Sequence, residues 1–199
     1  MDKQNKEWNR LKALLLQRSL RLGDFALAGG GSSSYYVDAR RTTMTAEGQS
    51  LTGKICYDLI QKVGWNASHV GGLTLGADPV TYAIAHYSCG HKVSLDGFTI
   101  RKEAKAHGTQ QKIEGGLPKD AQVVIIEDAI TSGASVLAAI NAVSDHGATI
   151  LGVLCLIDRE EGARDKLDKL GIQLVSAVSY THLRAHETDS YLVCRLLLE

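Results

Sequence analysis

The stretch VVIIEDAITSGAS, residues 123–135, constrains the chain more than any other. Its four leading β-branched residues suit a strand buried on both faces of a parallel sheet. Glu127 and Asp128 then sit at the carboxyl end of that strand, where open α/β sheets bind their ligands. Residues 130–135 supply small side chains and exposed backbone amides, and Val136, Ile140 and Val143 share one face of the helix that follows. Because a helix start points free N–H groups outward, the stretch reads as a phosphate site.

The rest of the chain alternates in the same way. Trp8, Leu11, Leu14 and Leu15 recur at helical spacing, and the row Leu51, Ile55, Leu59, Val63 predicts a core-facing helix of about five turns from Thr45 onward. VGGLTLGADPV, residues 70–80, reads as strand, glycine turn and helix, with Asp78 as N-cap and Pro79 first in the helix. Strands are expected over 93–100, over 149–158 and from 172, with helix stops at Gly147 and Gly171. This succession predicts an α/β fold with a parallel sheet and right-handed crossovers. At 199 residues it fits one domain with a full core.

Composition narrows the function. The formal net charge is zero, so no global field favours nucleic acid and any basic site must be local. Cys56, Cys89, Cys155 and Cys194 form no CxxC pair, and no leader or bilayer-length apolar run stands out, so the expected setting is reduced and cytoplasmic, without membrane insertion. His86, Cys89 and His91 lie close together but lack a fourth metal ligand.

Two further segments carry chemistry. FALAGGGSSSYYVDAR, residues 25–40, is either a flexible connection or a ligand loop; its Tyr35 and Tyr36 tilt it toward a ligand, since aromatic faces suit a flat ring. RKEAKAHGTQQKIEGG, residues 101–116, gathers Arg101, Lys102, Lys105 and His107 before paired glycines. A solvated surface loop is the plain reading, but its position between two anion turns favours a mobile lid bringing cations to a phosphate.

There is no GxxxxGK[ST] and no GxGxxG after a strand, which disfavours Walker-type and dinucleotide sites. Acids followed within a few residues by hydroxyls and glycine suit a phosphorylated sugar instead. EDAITSGAS resembles the phosphoribosyl pyrophosphate motif of the type I phosphoribosyltransferases, and RKEAKAHG is similar to the catalytic loop of the orotate enzymes in that family. With FALAGGGSSSYYVDAR, GLTLGADPV and CLIDREEG, the resemblance spans about residues 7–176.

That resemblance implies the type I phosphoribosyltransferase fold, a central, mostly parallel sheet flanked by helices with a small N-terminal hood. It implies transfer of the phosphoribosyl group from phosphoribosyl pyrophosphate to orotate, in pyrimidine synthesis. Glu127 and Asp128 would hold the ribose hydroxyls, and Ala129, Ile130, Thr131, Ser132, Gly133, Ala134 and Ser135 would cradle the 5′-phosphate. Arg101, Lys102, Lys105 and His107 would stabilise the departing pyrophosphate, Asp128 would take part in catalysis, and Thr131 and Arg159 would contact orotate. The implied cofactor is Mg²⁺, held mainly by substrate oxygens and water rather than by a protein cage. The implied partner is a second copy in a homodimer with shared active sites.

Two positions depart from the family. Many members carry lysine where this chain has Ala28 and Gly76, with Arg40, Arg41 or Mg²⁺ as replacements for the lost charge. Residues 177–199 do not resemble the family's closing elements and look like adapter read-through or a chimeric end, so the expected organisation is a catalytic domain over 1–176 and an anomalous tail over 177–199. Rival readings are a purine phosphoribosyltransferase, which Arg159 opposes by suiting an acidic base, and a nucleic-acid-binding sensor of phosphoribosyl pyrophosphate, which neutral charge opposes.

Overall fold

The computed structural model describes residues 3–26, 32–103 and 112–183. Helix α1, Lys3–Leu14, passes through a π-helical turn, Leu15–Ser19, into a hairpin of β1 (Leu20–Ala26) and β2 (Ser32–Val37). A short helix α2, Arg40–Thr43, and the long α3, Ala46–Val63, lead to β3 (His69–Leu73), α4 (Ala77–Ser88) and β4 (Asp96–Ile100). After β5 (Ile113–Glu114) come β6 (Gln122–Ile130), α5 (Ala134–His146), β7 (Thr149–Asp158), α6 (Ala163–Asp168) and β8 (Leu174–Ser179).

The main sheet has the order β5-β4-β3-β6-β7-β8. All its neighbours pair in parallel except β5, which runs antiparallel to β4. The antiparallel β1–β2 hairpin stands apart as the small hood. Alternate residues of the central strands serve opposite layers. Val124, Ile126, Leu154 and Leu156 pack with α1, α3 and α4, whereas Val123, Ile125, Val153 and Cys155 pack with α5 and α6. Burial on both faces is the reason these strands read as unbroken apolar runs.

Helix α3 starts where expected, with Thr45 Oγ1 accepting from Gly48 N at 3.1 Å. Of the expected row Ile55 is buried, but the core face is rotated from it: Thr52, Cys56 and Ile60 are fully buried, while Leu51, Leu59 and Val63 flank them half-buried. Small residues cause this, because α4 approaches so closely that a Cβ on Gly53 would meet Ala83 O at 2.3 Å. Helix–helix contact selects small residues where α4 crosses and leaves Leu51, Leu59 and Val63 at the margin of the buried face.

Four element boundaries differ from the sequence reading. Strand β4 starts at Asp96, since Leu95 N is bonded to Ser88 Oγ at 2.9 Å and Val93 O accepts from the Tyr57 hydroxyl at 2.9 Å. Helix α4 has Gly76 as its N-cap residue, and Asp78 lies within the first turn. Strand β6 runs on through the acid pair to Ile130. Strand β8 starts at Leu174, because Ile172 N closes the end of α6 on Leu167 O at 3.0 Å.

Strand β8 then continues to Ser179, so the boundary drawn at 176 falls inside it. Ala177 and Val178 are buried, Ala177 O accepts from Trp8 Nε1 at 2.8 Å, and Leu183 is 1% exposed. His182 meets the Trp8 ring edge-on at 5.4 Å. Residues 177–183 are thus packed against α1 and the sheet, and 184–199 lie outside the described residues.

Candidate active site

The strand order reverses between β3 and β6: the chain proceeds from β3 outward to β4, and from β6 outward to β7 and β8. Strand β3 pairs with β6 only up to Gly71–Ile125, then turns away into α4. A crevice opens beyond such a switch point. Here it is a cavity of about 780 Å³, and the acid pair lies on its wall because β6, still paired to β7, outruns β3.

Glu127 is 7% exposed and Asp128 half-buried. Burial pushes the Glu127 carboxyl up to about 8, and the neighbouring Asp128 charge and hydrogen bond push the same way, against the weaker pull of Lys102. Asp128 Oδ1 accepts from Ala129 N at 2.9 Å. Beyond the acids, Gly133 at φ 82° makes the left-handed turn into α5, and Lys166 Nζ donates to Ser132 O at 2.8 Å. Ala129, Thr131 and Ser135 line the cavity at the N-terminal end of this helix.

Arg159 enters from the end of β7. Its backbone N donates to Ile130 O at 3.0 Å, which ties the ends of β6 and β7 together. The buried Asp158 accepts from Glu160 N at 2.8 Å and from Arg164 Nη2 at 3.1 Å, bracing the turn that presents Arg159. The Arg159 side chain pairs with Glu161 at 2.7 Å and lies 4.6 Å over the Tyr35 ring.

Arg101 and Lys102 also line the cavity. Arg101 N donates to Lys112 O at 2.8 Å, and β5 pairs antiparallel to β4, so both ends of the basic loop are pinned at the cavity rim. Arg101 also reaches Glu114 at 3.7 Å. Lys105 and His107 fall outside the described residues, as does Ala28.

Of the expected site residues, Arg101, Lys102, Glu127, Asp128, Ala129, Thr131, Ser135, Arg159 and Tyr36 meet around the cavity. Tyr35 does not line it: its ring stacks on Tyr180 at 4.2 Å and its hydroxyl bonds Glu161. It therefore offers no free face to a flat ligand at the cavity wall. The Ile130 side chain is core, and Ser132, Gly133 and Ala134 shape the turn behind the wall.

Arg40 and Gly76, already singled out beside the phosphates, reach the wall, and Asp38, Thr74 and Thr99 join them without having been anticipated. Asp38 and Arg40 join the cavity from the hood side, linked at 2.8 Å, a bond that holds the Asp38 carboxyl below its ordinary range. Thr74 and Thr99 line it too, and both donate to Asp78, at 2.7 and 2.9 Å. Gly76 faces the acid pair so closely that a Cβ there would lie 2.6 Å from Asp128 Oδ1. A lysine at 76 would have to displace that carboxylate.

The described lining carries five acids (Asp38, Glu103, Glu114, Glu127, Asp128) against four bases (Arg40, Arg101, Lys102, Arg159). Such a wall does not by itself offset a pyrophosphate, so further cations must arrive with the substrate or on the basic loop. The wall's oxygen donors, above all the half-buried Asp128 carboxylate and the Thr131 and Ser135 hydroxyls, fit Mg²⁺ that keeps most of its own water.

The phosphoribosyl transferase domain family matches residues 47–181. The orotate phosphoribosyltransferase of Aquifex aeolicus is 41% identical over 180 residues, covering 89% of this chain and 97% of that protein. The crystal structure of Mycobacterium tuberculosis orotate phosphoribosyltransferase in complex with Fe(III) dicitrate superposes with a TM-score of 0.78 at 37% identity, over 89% of this chain and 98% of that one. The Mycobacterium tuberculosis enzyme in complex with 5-phospho-α-D-ribosyl 1-diphosphate gives 0.72 at 31% identity, over 89% and 92%. With its switch-point cavity, acid pair and basic loop, the chain belongs to the orotate phosphoribosyltransferases of the type I phosphoribosyltransferase family.

Proposed function

We propose that this protein transfers the 5-phosphoribosyl group from phosphoribosyl pyrophosphate to orotate, forming orotidine 5′-monophosphate and pyrophosphate in pyrimidine nucleotide synthesis. The observation that carries the reading is one cavity in which an acid pair, a hydroxyl-bearing helix start, the stem of a basic loop and Arg159 all meet. In the reaction the ribose C1–O bond to pyrophosphate breaks and a bond from C1 to the orotate ring nitrogen forms. Positive charge develops on the ribosyl group and negative charge on the leaving group.

Each wall suits one part of that charge distribution. Glu127 and Asp128 accept from the ribose hydroxyls, beneath the carbon where positive charge develops. Amides and hydroxyls of residues 129–135 hold the 5′-phosphate at the start of α5. Arg101 and Lys102, joined by Lys105 and His107 of the loop, stabilise the departing pyrophosphate. Mg²⁺ bound with the substrate supplies further neutralisation of pyrophosphate charge. Thr131 and Arg159 orient the base, and a guanidinium suits the carboxylate that distinguishes orotate from uracil.

The reading extends to a cytoplasmic homodimer with shared sites. Exposed Met44, Leu75 and Tyr82, the last two on or beside the cavity-bearing turn and helix, are available to a second copy. No helix among the described residues is long and apolar enough to cross a membrane.

The test mixes the protein with phosphoribosyl pyrophosphate and Mg²⁺ and follows orotate absorbance, with uracil, adenine and hypoxanthine as rivals. Orotate alone should be consumed, and Lys105→Ala should lower kcat strongly at an unchanged melting temperature. A folded protein that consumes a purine base and leaves orotate untouched refutes the assignment.

A further inference from the structure

Arg159 is the cavity cation best removed from water, at 9% side-chain exposure, yet it is already engaged. Its Nη2 lies 2.7 Å from Glu161 Oε1, and its Nε donates to the Tyr35 hydroxyl at 3.4 Å. That hydroxyl in turn donates to the same Glu161 oxygen at 3.3 Å, closing a ring of three side chains. Burial pushes the Tyr35 phenol up, so it stays a donor at neutral pH. Glu161 is 39% exposed and sits on the outer side of this ring, with no other hydrogen bond to hold it among the described residues.

We infer that Glu161 is a competitor built into the base site: it neutralises Arg159 while the cavity is empty and yields that guanidinium to the carboxylate of an acidic base, thereby tempering base affinity. The inference rests on the reading of Arg159 as the partner of orotate's carboxylate. Two carboxylates cannot share one guanidinium without mutual repulsion. Of the two protein partners, the half-exposed Glu161 can turn to water at small cost, whereas Arg159 is held under the Tyr35 ring. A base without a carboxylate supplies nothing to replace the Glu161 bond and leaves the ring closed. Glu161 therefore acts on acidic bases alone, and on product as well as substrate, since orotidine 5′-monophosphate keeps the carboxylate.

Glu161→Gln isolates this role. The amide oxygen still accepts from the Tyr35 hydroxyl and remains beside Nη2, so the arrangement is retained while the competing charge is lost. Calorimetric titration with orotidine 5′-monophosphate and with uridine 5′-monophosphate compares ligands that differ only in the carboxylate. Removing a competitor of ordinary exposed ion-pair strength should tighten the first about two- to fivefold and leave the second unchanged. In turnover, KM for orotate should fall while kcat stays level or drops as product leaves more slowly. Equal or weaker binding of orotidine 5′-monophosphate in Glu161→Gln overturns the inference. If instead the unmodified protein fails to prefer orotidine over uridine 5′-monophosphate, or Arg159→Gln costs that preference nothing, it is the role of Arg159 itself that falls.

Discussion

Glu127 should make the protein less stable as the pH rises through neutrality. Its carboxyl is 7% exposed beside Asp128, and its pKa is displaced from the ordinary 4.5 up to about 8, first by burial. The folded state therefore holds a proton that the unfolded chain releases above about pH 4.5. Folded-state binding of the extra proton means that stability is greatest at or below the unfolded pKa and falls until the folded pKa is passed. At about 1.4 kcal/mol per pH unit, the two and a half units between 4.5 and pH 7 amount to roughly 3 kcal/mol, an upper bound because an ionised carboxylate can turn toward cavity water.

Glu127→Gln keeps the shape and removes the titration. Urea unfolding of parent and variant should come together near pH 4 and diverge steadily toward pH 8, with the variant the more stable by about 1–3 kcal/mol at neutrality. Asp128→Asn, which takes away the adjacent charge, should shrink the divergence seen on mutating Glu127. A gap that stays flat from pH 5 to pH 8 would refute the argument, whatever its size. The same Glu127→Gln protein lacks the carboxylate that Glu127 offers the ribose hydroxyls once it ionises, so its turnover should fall further behind the parent's as the pH rises toward 8. Stability given up at an acid kept for function is a common trade at active sites.

Other perturbations follow from particular contacts. Gly76→Ala puts a Cβ where Asp128 Oδ1 lies 2.6 Å away, and should lower kcat/KM by about tenfold with little change in melting temperature; activity within twofold of the parent would show that Asp128 moves freely. Thr45→Ala removes the α3 cap and should cost about 1 kcal/mol in urea unfolding without affecting KM. Leu183→Ala should cost about 3 kcal/mol, because that side chain is 1% exposed in the core shared with α1 and β8. A loss under about 0.5 kcal/mol would mean that residues beyond Ser179 contribute no packing.

The parts of the molecule legible in the sequence are those that repeat within a few residues. Val123 to Ile126 and the 149–158 run showed buried strands because each strand carries its own period, and Gly147 showed the end of α5 because the left-handed turn at φ 99° favours glycine. Whereas the role of Arg159 came only with the family resemblance, the acid pair and the hydroxyl loop were legible for a related reason, as one continuous motif at a strand end. The remaining wall was not. Asp38, Thr74 and Thr99 reach the cavity from three separate segments, brought together by where β3 turns away from β6, and no local pattern in the sequence announces that turn.

Two features of β2 and β8 follow from the residues alone. Neighbours on a strand point to opposite sides, so Tyr35 and Tyr36 on β2 could not both face a ligand. One had to look elsewhere, and Tyr35 does, toward Arg159 and Tyr180. Likewise LVSAVS keeps apolar residues at Leu174, Ala177 and Val178, all of which are buried, so the strand runs on past 176, and the family match itself reaches residue 181. Resemblance reports ancestry, but the sheet responds only to side chains. The segment completes β8 because it supplies apolar surface at Ala177 and Val178 and a backbone acceptor, Ala177 O, for Trp8 Nε1.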